Sequence, residues 1–218
     1  MAEQYGVIEK RFLAQKKKLV GIDEVGRGAL AGPVYAGAVI IDFYKLYALA
    51  TESRALVRDS KTLSRAQREK SLGFVKEIAS SYATGRAEID EIEGLGITKA
   101  TFLAMQRALA TLDESFDVLL IDGKYPLPDY SGEQLAIIGG DHSCFSIAAA
   151  SILAKEARDE IMRFESDKFP GYGFDSHVGY ATRHHLQAIN DYGICSMHRK
   201  NFEPIKTLLK QTSHLPPI

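Results

Sequence analysis

Two neighbouring carboxylates, Asp23 and Glu24, close an apolar run that begins at Leu19, and Gly26-Arg27-Gly28 follows almost at once. Adjacent acids at the end of a buried strand are costly unless a cation compensates them. Hard divalent ions prefer carboxylate oxygen, and flanking glycines let a backbone come close to a ligand. Metal-binding acids beside a glycine-flanked arginine point to phosphate chemistry. A strand end with two solvated acids and an ordinary glycine turn would read the same over this stretch alone. The pattern recurs, however. Val118 to Ile121 runs into Asp122, and Leu135 to Gly140 runs into Asp141. Taken singly, Asp122 and Asp141 read more readily as helix caps or turn residues. Three apolar runs that each end in an acid favour a shared site. Four converging carboxylates repel, so they take up protons or hold cations. Magnesium suits such a set, and two metals about 4 Å apart can activate water and stabilise the leaving oxygen of a phosphodiester.

The elements that would carry these acids are legible from periodicity. Leu19 to Asp23 reads as a short strand. Val34 to Ile41 is apolar on both alternating faces, which places it mid-sheet with layers above and below. The short gap between the two suits an antiparallel pair. Ser64 and Gln67 form a capping box for a helix whose apolar face is Leu72, Val75 and Ala79. Tyr82 to Ile89 reads as a third strand. Thr98 caps the next helix, with Phe102, Met105, Leu109 and Leu112 as its core stripe. Asp117 to Asp122 and Leu135 to Asp141 complete a sheet. In open α/β sheets, ligands bind beyond the carboxyl ends of the strands, so acids distant in sequence can meet there. From Ser143 a long helix rich in small residues is expected to lie flat on the sheet, with Asp141 just ahead of its amino end. Pro170 to Gly173 breaks it, and shorter helices follow over about 181–191 and after Pro204. Residues up to about Gln15 read as a lead-in helix or arm without a motif, and the tail as frayed.

Composition narrows the class without choosing the partner. The chain has 218 residues, 45% hydrophobic and 25% charged, as expected of a soluble globular protein. Its start lacks a signal-peptide core and charges interrupt every long apolar run, so a cytoplasmic, non-membrane protein is expected. Cys144 and Cys195 lie far apart, outside any zinc or disulfide pattern, and read as reduced thiols. The net charge of −1 gives no global sign of nucleic-acid binding. Basic islands at Lys16 to Lys18, Arg54 to Lys70 and His198 to Lys200 are local, and the first reads as a solvated face. The six histidines show no ligand spacing, which oxygen-preferring metals would not need.

In order and spacing, the motifs resemble those of ribonuclease HII, a family with the RNase H-like fold. The likeness runs through GIDEVGRG, RDSKTLS, EID, VLLIDG, GGDHS, IAAASILAK, RDEIM, FPGYGF, HVGYAT and HRKNFEP. It implies an α/β fold with a mixed five-stranded sheet flanked by helices. It further implies one catalytic domain over 1–218, whose part from about 170 is helical and touches substrate. By the same resemblance Asp23, Glu24, Asp122 and Asp141 are catalytic metal ligands for Mg²⁺ or Mn²⁺. Gly26, Arg27 and Gly28 form the loop that senses the ribose 2′-hydroxyl. Tyr180 stacks on the sugar at an RNA–DNA junction, and Lys61 contacts phosphate. The implied activity is metal-assisted hydrolysis of RNA in RNA/DNA hybrids and of single ribonucleotides within duplex DNA, by a monomer. Ala29, Ser143 and Asn201 depart from the usual proline, lysine and serine, and none of the three touches the acids. The long amino-terminal domain of the sister family, ribonuclease HIII, has no counterpart ahead of the first motif, which favours HII. A different metal-dependent nuclease on the same acids is one alternative. A non-catalytic nucleic-acid binder is another, disfavoured because four acids repel phosphate.

Overall fold

The computed structural model describes residues 6–49, 55–57 and 65–212. Its centre is a five-stranded sheet built from β1 (Leu19–Val25), β2 (Val34–Ile41), β3 (Ala79–Ala87), β4 (Val118–Asp122) and β5 (Glu133–Ile137). The spatial order is β3-β2-β1-β4-β5. The pairs β1–β2 and β2–β3 are antiparallel, and β4 is parallel to both β1 and β5. Every residue of β2 is buried, as a strand apolar on both faces requires. Val34, Ala36, Ala38 and Ile40 enter one core layer, Val39 and Ile41 the other.

Nine α-helices surround the sheet among the described residues: α1 (Val7–Leu13), α2 (Phe43–Ala48), α3 (Arg65–Ile78), α4 (Ile89–Leu95), α5 (Ile97–Ala110), α6 (Phe145–Lys168), α7 (Phe174–His177), α8 (Arg183–Tyr192) and α9 (Ile205–Thr212). The long α6 lies across β1 and β2 on one face, with α3 beside it, and α5 covers the other face. Two glycines seat α6. A Cβ at Gly21 would stand 2.2 Å from the backbone carbon of Ser146, and one at Gly37 would stand 2.4 Å from the Ala150 carbonyl oxygen. Small residues on both partners bring helix and sheet to backbone contact, which is what the Ala- and Ser-rich run in α6 is for. A third apolar cluster, including Met162, Tyr172, Phe174 and Met197, fastens the C-terminal helices to the far half of α6.

Several sequence expectations are corrected. Ala79 opens β3 rather than closing the apolar face of α3, and Ile89 begins α4 rather than ending β3. A reciprocal cap between Glu88 and Glu91 stops the strand there. Gly96, not Thr98, precedes α5, and it provides no side-chain cap. The inward face of α5 is Ala100, Ala104, Met105 and Ala108, while Phe102, Leu109 and Leu112 pack along its margin. The alanines let α5 sit low on the sheet, so larger side chains are pushed to the flanks. β5 is a half-exposed edge strand ending at Ile137, and Asp141 belongs to a 3₁₀ turn, Gly140–His142, beyond it. Ser64 and Lys61 lie outside the described residues.

One contact had no counterpart in the sequence reading. The Glu9 carboxylate on α1 accepts hydrogen bonds from the Ser146 backbone N–H and hydroxyl, both at 2.9 Å. Glu9 therefore caps the first turn of α6 from another helix, where no local side chain does so. Burial pushes its carboxyl up to about 7.

Candidate active site

Strand register brings the first acids level. Ile22 on β1 faces Ile121 on the parallel β4, so Asp23 and Asp122 follow at the same carboxyl end of two adjacent strands. Asp23 is buried, and its Oδ1 accepts the Glu24 N–H at 2.7 Å. Asp122 accepts the Gly140 N–H at 2.7 Å, which ties the end of β4 to the turn that carries Asp141. Asp141 is itself buried, with the exposed His142 ring 3.6 Å from its Oδ1. Glu24, largely buried, takes an ion pair from Arg27 at 3.1 Å.

The electrostatics are those of a site short of positive charge. Burial holds the Asp23 carboxyl well above its ordinary range, and the Asp122 and Glu24 charges add to this. The Ser151 hydroxyl and the Glu24 N–H act in the opposite direction. Glu24 is raised as well, by burial first, with Arg27 opposing. Asp23, Glu24 and Asp122 thus share one field. Among the described residues no three Asp, Glu, His or Cys side chains close up into a metal cage. Asp23 and Asp122 each accept a backbone N–H, from Glu24 and Gly140. The donor set fits a hard divalent ion: every member is a carboxylate, and a cation would relieve the strain on Asp23.

Beside the acids lies a cleft of about 370 Å³ lined by residues that include Glu24, Arg27, Gly28, Lys155 and Tyr180. The two glycines around Arg27 differ. Gly26 has φ +91° and a Cβ there would meet the Arg158 Nε at 2.2 Å, so it is glycine for packing. Gly28 has nothing within 4 Å of its Cβ direction and leaves the cleft open. A larger hollow of about 740 Å³, bordered by Lys16 to Lys18 and Tyr44, lies at the opposite end of β1 and contains none of the four acids.

Tyr180, half-buried at the cleft, stands on a turn held by a chain of histidines. His198 Nδ1 accepts the Cys195 N–H at 2.9 Å, and its Nε2 lies 3.1 Å from His185 Nε2. His185 Nδ1 lies 2.9 Å from the Tyr180 carbonyl oxygen. One tautomer set satisfies all three contacts: His198 donates from Nε2, and His185 donates from Nδ1. His177 completes the support, accepting the Gly179 N–H and bonding the Tyr172 carbonyl. Burial keeps all three neutral, pushing His185 down to about 4. Their spacing in the sequence showed no metal-ligand pattern, and their partners here are backbone groups and one another.

Three further residues at the site escaped the sequence reading. Ser151 reaches Asp23 from α6. Lys155 lines the cleft while holding both Asp159 oxygens at 3.0 Å. Arg158 lies buried beneath Gly26. All three sit on the α6 face that small residues had marked only as packing.

Residues 20–205 match the family model described as Ribonuclease HII. A Ribonuclease HII of Nitrosococcus oceani is 43% identical over 206 residues, covering 94% of this chain and 97% of that protein. The crystal structure of the ribonuclease H2 from Pyrococcus horikoshii superposes with a TM-score of 0.73 at 23% identity, over 91% of this chain and 100% of that one. Bst-RNase HIII in complex with Mn²⁺ superposes with a TM-score of 0.68 at 21% identity, over 91% of this chain and 71% of that one. The structural likenesses establish the RNase H-like fold. The match to the family model over residues 20–205 and the 43% identity to the Nitrosococcus oceani protein show that the chain belongs to the ribonuclease HII family.

Proposed function

We propose that this protein is an endoribonuclease that cleaves the RNA strand of RNA/DNA hybrids and incises 5′ of single ribonucleotides in duplex DNA. The products are 3′-hydroxyl and 5′-phosphate ends. The observation that carries this reading is the placement of Asp23 and Asp122 at the ends of adjacent strands, with the Asp141 turn tied to Asp122, beside a cleft lined by Arg27, the open Gly28 and Tyr180. Asp23, Glu24, Asp122 and Asp141 would hold Mg²⁺ or Mn²⁺, as the Mn²⁺ complex of the related Bst-RNase HIII supports. When bound, such a cation supplies charge stabilisation for a phosphodiester and lowers the pKa of an attacking water. The chain does the rest. The open backbone at Gly28 lets donors and acceptors approach a ribose 2′-hydroxyl, the one group that tells RNA from DNA at a nucleotide. Tyr180 packs against the neighbouring deoxyribose, where a second 2′-hydroxyl would crowd the ring. Arg27 and Lys61 neutralise phosphate.

The deciding test is a labelled DNA duplex containing one ribonucleotide, incubated with and without Mg²⁺. Metal-dependent incision 5′ of the ribonucleotide, lost in Asp23→Asn, is expected. Binding that survives chelation without any turnover would make the protein a binding module instead.

A further inference from the structure

The loop Gly26–Pro33 and the turn Val178–Tyr180 are about 150 residues apart in sequence, yet Gly26 to Gly28 of the first and Tyr180 of the second wall one cleft, with Ser151 and Lys155 of α6 between them in sequence. One side chain joins them. The buried guanidinium of Arg158, on α6, donates from Nε to the Pro33 carbonyl at 2.9 Å and from Nη2 to the Ala31 carbonyl at 3.0 Å. Its Nη1 donates to the Val178 carbonyl at 2.8 Å. The same guanidinium carbon stands 5.5 Å from the centre of the Tyr180 ring. All three nitrogens of one planar fork are thus committed, two to the loop and one to the turn, with the guanidinium over the Tyr180 ring. The walls also touch directly, through the Leu30 N–H to the Gly179 carbonyl at 2.8 Å.

We propose that Arg158 is a positioning residue that fixes the spacing between the sugar-sensing loop and Tyr180, and so determines selectivity for a lone ribonucleotide. This rests on the function proposed above. A planar fork with nitrogens in fixed directions holds three carbonyls at set separations, which a lysine ammonium on a flexible stem cannot do. Spacing matters unequally for the two substrates. A single ribonucleotide offers one 2′-hydroxyl and one adjoining deoxyribose, so loop and ring must both be in register at the same step. A continuous hybrid presents a 2′-hydroxyl at every step and makes no such demand on the ring. Arg158 touches no substrate in this account; it acts through the Tyr180 turn.

Two variants test this from independent directions. Arg158→Lys keeps the charge and removes the fork. Gly179→Ala leaves Arg158 intact and places a Cβ 2.4 Å from the Ala31 carbonyl oxygen, wedging the walls apart. Steady-state kcat/KM is measured with Mg²⁺ on a duplex bearing one ribonucleotide and on a continuous hybrid. Both variants should lose about tenfold more on the first than on the second, mainly in kcat, since alignment and not affinity is disturbed. Folding is checked by circular dichroism, and should Arg158→Lys fail to fold, Gly179→Ala decides alone. Equal losses on the two substrates overturn the proposal. A wild-type protein that cuts neither substrate overturns the functional reading beneath it, and the clamp with it.

Discussion

Glu9→Gln isolates one buried charge whose effect on stability can be worked out in advance. Glu9 is fully buried against the first turn of α6, and its carboxyl is pushed from 4.5 to about 7 by burial. Below about pH 4.5 the group is protonated in both the folded and unfolded chain, and no penalty exists. As pH rises, the unfolded chain releases this proton first, so folding stability falls until the folded group ionises too. The gap from 4.5 to about 7, at about 1.4 kcal/mol per pH unit, amounts to about 3 kcal/mol. Glutamine retains an oxygen for the Ser146 N–H and hydroxyl but cannot ionise. The assay is urea denaturation of wild type and variant from about pH 4 to about pH 8. Asp23 and Glu24 are raised as well and titrate in both proteins, so the difference between the two curves reports Glu9 alone. Relative to the variant, wild type should lose about 3 kcal/mol across that range, or roughly 6–12 °C in melting temperature for a chain of this size. A difference that does not change with pH would refute the claim that Glu9 titrates as a buried cap.

Three other outcomes are expected. Asp23→Asn and Asp122→Asn should nearly abolish metal-dependent cleavage, while Asp23→Asn melts no lower than wild type in chelator, because a repelled buried acid is gone; near-normal turnover in either would contradict the metal site. Gly28→Val should fold normally and lose cleavage, since its side chain enters open space, whereas Gly26→Ala should cost about 2 kcal/mol or more of stability against Arg158; thermal melts and cleavage assays on the pair separate the two roles. The His185 imidazole should stay neutral down to about pH 4 in an NMR titration, and a midpoint near the ordinary value of 6.5 would break the histidine chain beneath Tyr180.

What could be read from residues alone followed from how local each cause was. β1, β2 and β4 are apolar runs buried by their own sheet, so their pattern names them, and Asp23, Glu24 and Asp122 come with them. β5 misled because an edge strand with one covered face can carry as many apolar residues as a buried one. Asp141 lies in a turn and not at a strand end, so the apolar run before it named the residue but not the element that carries it. The α5 stripe was read in part: Met105 is core and Phe102, Leu109 and Leu112 pack against it, while alanines, silent in a hydrophobic pattern, set how close the helix comes. Glu9 and Arg158 were illegible for a common reason. Each is a charged residue on a helix, which reads as solvent-facing, and each is buried by partners 137 and about 125 residues away.

The contact of α6 with the glycines of β1 and β2 has a consequence for how the chain can vary. A helix in backbone contact with a sheet cannot slide along it or turn over it. Ser146, capped by Glu9, and Arg158, bound to the cleft walls, are twelve residues apart on that helix, a span of about 18 Å. The helix is therefore a gauge set between the acidic end and the recognition end. One inserted residue between them would advance everything beyond it by about 1.5 Å and rotate it by about 100°. Arg158 would then face away from both walls while the acids stayed in place. Length drift between homologues should be absent from this stretch, and should collect instead in the connection from Gly123 to Gly132, which leads only to an edge strand.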